Sequence, residues 1–488
     1  MINKAKWITA GAGVCAPCIE RKFYLDSKNK AELEITGLGY FICKINGKPV
    51  SDDRFMPVVS DYKERTFSDL LYPCNDKNFV HRVYYLKFDI SPLISVGENT
   101  IEIFLGNGWF IQKQRTVEGD FSFSDALIAK YAIKYNDVNG VDKIILSDGC
   151  ERWKNTEVVS NNIFYGERQD ARILDLEAEY KSVEIYPEFE TKLTVQDCPN
   201  ERLIKTLTPR VVCSSGGKTI FDVGENVSGY AKIMATGKYG DVIKVVYSGN
   251  IYTDGRLNTG TTGAWMKNDN GEYQLQQDQF ILDGKKREYA PKFCRHCFRY
   301  FEVDGMIDSV VVEVIYTDLA VTANFQSSSD TLNWIYDAYI RTQLNNMHDG
   351  FPSDCPHRER LGYTGDGQIT APAAMLTIDT EKFYRKWIRD VADGQNQENG
   401  HVQYTAPYFG GAGGPGGWGG AIVFVPYAFY KRFNDLDLIK QYFPNMKLWV
   451  KYMEDHTENG IVVNAEDGGY CLGDWGFPEK RQLFGILF

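Results

Sequence analysis

The sequence has no uninterrupted apolar run of about 18 residues, which excludes a membrane-spanning helix. It also lacks an apolar stretch behind its first residues, Met1-Ile2-Asn3-Lys4-Ala5-Lys6-Trp7, and so shows no secretory signal. Together these absences give the expectation of a soluble, cytoplasmic protein. Excess positive charge is missing as well. Lys and Arg number 54 against 65 Asp and Glu, a net charge of −11, which argues against nucleic acid or an anionic membrane as partner. An even, closely spaced cysteine set is absent too. The eleven cysteines are odd in number and scattered, which fits reduced thiols rather than a disulfide framework. Cys15-x-x-Cys18 and Cys294-x-x-Cys297 have the spacing of metal ligands, but they lie far apart in the chain. No metal and no other cofactor is assigned from them.

Aromatic residues are plentiful, with 30 Tyr, 28 Phe and 9 Trp in 488 residues. That content suits β-rich domains and sugar-stacking surfaces, although most aromatics serve as core. A chain of this length is expected to form several domains. From Trp7 to about residue 173 short β-rich segments follow one another: Arg21–Leu25, Ala31–Gly37, Tyr40–Ile45, Tyr84–Ile90, Thr100–Leu105, Ala126–Tyr135 and Ile144–Ser147. Asn46-Gly47 marks a tight hairpin turn, and Gly106-Asn107-Gly108-Trp109 reads as a turn carrying an exposed aromatic. Residues 1–173 are therefore an N-terminal antiparallel β-sandwich. Residues 174–209 turn polar and proline-punctuated, as a connector does. Residues 210–323 resume the strand pattern as a second β-sandwich, with strands at Lys244–Tyr247, Gln279–Leu282 and Val310–Tyr316.

At Ser327–Asp330 the apolar period changes from two to 3.6. Leu332, Ile335, Tyr336, Tyr339, Ile340 and Leu344 fall on one helical face, capped by the Ser/Asp cluster before it. Further helices are expected over Gln368–Leu376, Thr380–Ala392, Ala421–Phe433 and Leu436–His456. The fold class is thus multidomain β plus α, with a helical region over 324–488.

The densest chemistry lies between the two helical stretches, in Ser353-Asp354-Cys355-Pro356-His357-Arg358-Glu359-Arg360-Leu361-Gly362-Tyr363-Thr364-Gly365-Asp366. Pro356 pushes its predecessor out of helical geometry, so the three acids sit on an irregular loop leading into a helix. Carboxylates held together repel one another, and at least one is expected to keep its proton above the usual range. Such a loop can supply a proton donor and polar clamps for a hydroxyl-rich ligand. The same residues also read as surface ion pairs, each worth about 0–1 kcal/mol.

The loop resembles the signature of the bacterial α-L-rhamnosidases of glycoside hydrolase family 78, Asp-Cys-Pro-x-Arg-Asp-Glu-Arg-x-Gly-Trp-x-Gly-Asp. One acid between Arg358 and Glu359 is missing here, and Tyr363 stands in place of Trp. Flanking segments extend the likeness: Ile35–Tyr40 with Gly106–Trp109, Phe221–Gly229, and Phe298-Arg299-Tyr300. The resemblance implies an (α/α)6 toroid as catalytic domain and an inverting hydrolysis that removes terminal α-L-rhamnose. It places Glu359 as general acid, and Asp354, Arg358 and Asp366 as contacts to the sugar or to the carboxylates. Phe409–Gly420 is similar to the family's Trp-x-Asp-Ala loop, with Trp418 against the sugar and Gly420 replacing the Asp. Gly473-Asp474-Trp475 resembles a further sugar-binding segment, which adds Asp474 and Trp475 to the substrate-binding set.

The helical pattern covers about 160 residues, roughly half of a closed ring. No acid after Gly367 matches the family's general base. The expectation is a catalytic domain incomplete at its C-terminus, with weak or absent hydrolysis. The expected partner is a rhamnose-containing oligosaccharide or glycoside, with a homodimer left open as an assembly. Two other readings stand beside this one. The first is a carbohydrate-binding protein that does not cleave its ligand. The second is an inactive fragment whose helices expose Trp449, Tyr452 and Met453.

Overall fold

Alternating apolar and polar side chains give the first part of the chain two facing sheets, whose apolar faces must meet to leave water. The computed structural model describes residues 1–28, 30–67, 79–113, 120–260, 262, 275–411 and 413–463. One sheet has the order Glu184–Ile185, Ile8–Thr9, Ile128–Asn136, Ala31–Leu38, Arg82–Asp89, Lys192–Val195, with Asp142–Leu146 also paired to Ile128–Asn136. The other runs Lys181–Ser182, Arg152–Lys154, Cys18–Leu25, Gly97–Gly106, Tyr40–Ile45, Lys48–Pro49. Asn46 and Gly47 join the last two strands with φ of +52° and +75°. Positive φ at both central residues is what a two-residue hairpin turn requires.

Among the described residues the second β region is built on one continuous ten-stranded sheet, with a two-stranded one of Asn250–Ile251 and Leu257–Asn258 beside it. Its spine is the 18-residue strand Lys218–Ala235, which pairs with His296–Asp304 and, beyond a register shift between Asp222 and Val227, with Ser309–Thr317. A separate core of Phe221, Phe280, Phe298, Phe301 and their neighbours lies against it.

Residues 174–209 are not irregular. They supply four short strands: Lys181–Ser182, Glu184–Ile185 and Lys192–Val195 to the first two sheets, and Glu201–Leu207 to the ten-stranded one. All four lie at sheet edges, where one side faces water and polar residues are favoured. Composition therefore reports their polarity and not their pairing. Val158–Asn162 and Gly166–Asp170, expected in the first sandwich, also join the ten-stranded sheet, the latter in parallel with Gln277–Asp283.

Among the described residues five helices follow: α1 (Asp330–Asn345), α2 (Thr364–Thr377), α3 (Glu381–Asp393), α4 (Ala421–Phe433) and α5 (Leu436–Asp455). Ser329 caps α1 by accepting from the Leu332 amide. The apolar face foreseen for α1 closes only at its last turn; Leu332 and Ile335 remain half exposed. Trp449, Tyr452 and Met453, expected at the surface on the inactive-fragment reading, are buried; Trp449 lies against Gly419, the Met453 sulfur accepts from the Gly416 amide and Tyr452 stacks on His401. No helix among the described residues is long and apolar enough to cross a membrane.

One hydrophobic core runs unbroken from the first sandwich into the helices. This overturns the reading of Trp109 as exposed. It is 1% accessible, and its ring lies between Phe164, Phe351 and Phe409. The helical region lies against the turn that sequence alone would leave in solvent. Polar ties cross the same boundary. Arg82 grips Asp393 through two hydrogen bonds of 2.7 and 3.0 Å, and Lys386 donates to the Val59 carbonyl and to Asp390.

Candidate active site

The acidic loop is drawn shut by its own backbone. The Asp354 amide donates to the Leu361 carbonyl (3.1 Å), the Arg360 amide to the Cys355 carbonyl (3.1 Å), and the Leu361 amide to Asp354 Oδ1 (3.1 Å). Arg360 has φ of +58°, a left-handed conformation uncommon for a residue with a side chain. The chain then enters α2, whose first turn carries Asp366.

Three groups converge on one carboxyl group. Glu359 Oε2 accepts from Arg358 Nε at 2.9 Å and from the Cys355 thiol at 3.2 Å. Asp354 hydrogen-bonds to the same carboxyl group. The Glu359 side chain is 14% exposed, so it stands neither in bulk solvent nor sealed from it. Burial, reinforced by the Glu359 hydrogen bond and charge, holds the Asp354 carboxyl well above its ordinary range. At Glu359 burial pushes upward too, but hydrogen bonds from Asp354, Arg358 and Cys355 outweigh it and the net shift is downward. The expectation that crowding would raise a carboxyl is met at Asp354, and not at Glu359 itself. Two carboxyls in contact keep one proton between them, and it sits on the partner with fewer cationic neighbours. Asp366 is raised by partial burial and by the Glu359 charge, which places it in the same field.

Trp418 comes to this loop from the glycine-rich segment. It lies edge-on to Tyr363 and Tyr404, with ring centroids 5.7 and 5.5 Å away. A methyl group on Gly365 would meet its ring at 2.5 Å, so only glycine lets the indole lie on the start of α2. Gln368 Nε2 holds the Gly417 carbonyl at 2.9 Å. The structure thus brings Asp354, Arg358, Glu359, Asp366 and Trp418 to one place. Asp474 and Trp475 lie outside the described residues.

Residues the sequence did not single out hold this place in position. Asp349, five positions before Asp354, accepts from Tyr40 Oη (2.6 Å), Trp109 Nε1 (3.0 Å) and Arg295 Nη2 (2.7 Å). Glu201 accepts from the Asp349 amide (3.0 Å), faces His348 Nδ1 (2.9 Å) and pairs with Arg295 (3.3 Å). Burial, then the Arg295 charge, push His348 well below its usual pKa, leaving it a neutral ring. The available sequence signal was Asp349-Gly350, a hairpin pair whose φ values are +56° and +80°.

The two Cys-x-x-Cys pairs do not assemble a common four-thiol cluster among the described residues. Cys294 instead joins Asp278 and His296 in a sealed group with metal-ligand atom types. Asp278 there already accepts from Tyr247 Oη (2.6 Å), the Glu167 amide (2.9 Å) and His296 Nε2 (3.1 Å). Asp354, Cys355 and Glu359 form the second such group, at the candidate site itself.

A β-sandwich, a ten-stranded sheet and a helical region with an acid-bearing loop between its first two helices make a multidomain β plus α architecture, and comparison with known proteins fixes the family. Residues 27–212 match the alpha-L-rhamnosidase N-terminal domain, 213–324 the bacterial alpha-L-rhamnosidase concanavalin-like domain, and 320–485 the bacterial alpha-L-rhamnosidase 6 hairpin glycosidase domain. The chain belongs to the bacterial α-L-rhamnosidase family. It is 28% identical to an alpha-L-rhamnosidase of Formosa agariphila over 95% of its own length and 49% of that protein's. Among solved structures it is similar to the alpha-L-rhamnosidase of Dictyoglumus thermophilum, with 26% identity and a TM-score of 0.85 over 98% of this chain and 54% of that one. It also resembles the Streptomyces avermitilis enzyme complexed with L-rhamnose, with 25% identity and a TM-score of 0.83 over 95% and 44% of the two chains. The chain spans about half the length of the relatives it matches.

Proposed function

We propose that the chain carries the proton-donating side of an α-L-rhamnosidase, cleaving terminal α-L-rhamnose from glycosides with inversion, and that Glu359 is its general acid. The observation that supports this most directly is the contact of the Asp354 and Glu359 carboxyls, shifted in opposite directions, in a loop that also carries the Tyr363–Trp418 pair, and from it we infer that the two carboxyls share one proton. Leaving-group departure from a sugar needs a proton delivered to the glycosidic oxygen. The pair interconverts between protonated Asp354 beside ionised Glu359 and the reverse. In the second state Glu359 holds the proton to be transferred, while Asp354 keeps the Leu361 amide as a donor to its charge. Inversion further needs a carboxylate roughly 6.5–9.5 Å away to activate water, and we assign no described residue to that role. On this reading Asp366 and Arg358 hold hydroxyls, and Trp418 covers an apolar face of the sugar.

Hydrolysis of an aryl α-L-rhamnoside tests this reading. Slow release of rhamnose by the native chain, lost in Glu359→Gln while rhamnose binding is retained, is the expected result. Cleavage by Glu359→Gln at the native rate would end the assignment. Fresh product appearing as the α anomer would end the inverting mechanism.

A further inference from the structure

Arg360 combines two unfavourable features beside the proposed acid. Its backbone is left-handed, with φ of +58°, and its side chain is buried with no carboxylate among the described residues bonded to it. It is 3% exposed. Nη1 donates to the carbonyls of Ile163 and Arg295, and Nη2 to Gln276 Oε1 at 2.9 Å. Nε has no hydrogen-bond partner. Burial and the nearby Arg295 charge bring its pKa down to about 10. An arginine at a loop surface would incur neither cost.

All three acceptors belong to the β regions, and none to the helices. The guanidinium therefore reaches out of the acidic loop to the β regions, while the side chain of Glu359 bonds within the loop, to Arg358 and Cys355. We propose that Arg360 is a positioning residue for Glu359. Its guanidinium, seated among the Ile163, Arg295 and Gln276 oxygens, keeps residue 360 left-handed, and this directs the neighbouring carboxyl onto Asp354, Cys355 and Arg358. The amide of Arg360, bonded to the Cys355 carbonyl, closes the same loop. The planar fork matters as much as the charge, because an ammonium offers no comparable set of directed donors. The inference rests on the reading of Glu359 as acid and extends it to the residue that sets its direction.

The test follows kcat and KM on an aryl α-L-rhamnoside for Arg360→Ala and Arg360→Lys, with and without added guanidinium chloride at a non-denaturing concentration. Loss of a group that orients the acid lowers kcat with little change in KM. Arg360→Ala is expected to lose about 100-fold in kcat, with KM changed less than about 3-fold, and guanidinium to restore about 10-fold of that. Arg360→Lys should recover only part of the loss, and guanidinium should not rescue Glu359→Gln. A folded Arg360→Ala with native kcat, or one that guanidinium leaves unchanged, overturns the proposal. Should Arg360→Ala fail to fold, Gln276→Leu decides: a several-fold fall in kcat is expected, and an unchanged kcat overturns it. If the native chain cleaves no rhamnoside, it is the parent reading that fails. Arg360 is then judged by 13C NMR titration of Glu359, which should shift in Arg360→Lys or Gln276→Leu if Arg360 sets its contacts and stay put if it does not.

Discussion

Trp109 Nε1 donates to Asp349 Oδ2 across 3.0 Å, and so ties a turn of the first sandwich to the hairpin that leads into the acidic loop. Both residues are buried. Replacing Trp109 by Phe removes the donor and leaves a void beside Phe351 and Phe409. The expected loss is about 2–4 kcal/mol. Urea denaturation checks it: the midpoint falls and the slope stays the same, whereas an unchanged midpoint would mean that the contact carries no net stability.

Stability should also depend on pH through Glu167. Burial raises its carboxyl to about 7, against hydrogen bonds from Gln169 and from the Lys292 and Phe293 amides. Between its unfolded value of 4.5 and about 7, the folded protein keeps this proton and the unfolded chain releases it. This group's contribution is therefore most favourable below the unfolded value, falls as pH rises through that window, and is least favourable above it. A shift of this size corresponds to about 3 kcal/mol. Glu167→Gln, compared with the native chain in denaturant at pH 5 and pH 8, should flatten that slope.

Cys355 gives a second pH-dependent outcome, in activity. Its thiol, kept protonated by burial and then by the charges of Asp354 and Glu359, donates to Glu359 Oε2 and favours the ionised carboxyl. Cys355→Ala should raise the Glu359 pKa and move the alkaline limb of the kcat/KM profile upward by about 0.5–1 pH unit. Cys355→Ser retains a donor and should move it less. Coincident profiles for all three proteins would show that the thiol does not tune the acid.

The hairpin at Asn46-Gly47 offers a purely backbone test. Gly47 has φ of +75°, and nothing lies within 4 Å of an added methyl group. Gly47→Ala should cost about 1 kcal/mol through conformation alone, read as a lowered thermal midpoint at unchanged activity.

Local pattern carried much of this architecture. The helix over Ala421–Phe433 falls where its apolar period places it, and the strand Tyr40–Ile45 is where alternation and Asn-Gly place it. The acidic loop was legible because its residue types are rare in that combination. What escaped was pairing at a distance. Strand Glu201–Leu207 is polar, and only its partner Ser309–Thr317 makes it a strand. Trp109 looks like a turn aromatic until the helical region covers it. Arg360 looks like one more charge in a charged loop, since nothing nearby in sequence announces three carbonyl oxygens from Ile163, Arg295 and Gln276. The direction of the Asp354–Glu359 shifts was hidden for a similar reason, because it depends on which carboxyl lies nearer Arg358 and Cys355.

Strand Gly166–Asp170 lies in the sheet of the following domain, although it is read before that sheet exists on the emerging chain. Until Gln277–Asp283 is synthesised, its backbone donors and acceptors on that side have only water or a neighbouring molecule to bond with. A polypeptide severed near residue 173 would carry that open edge permanently, so the two β regions are one inheritance unit for folding and cannot be shuffled as separate pieces.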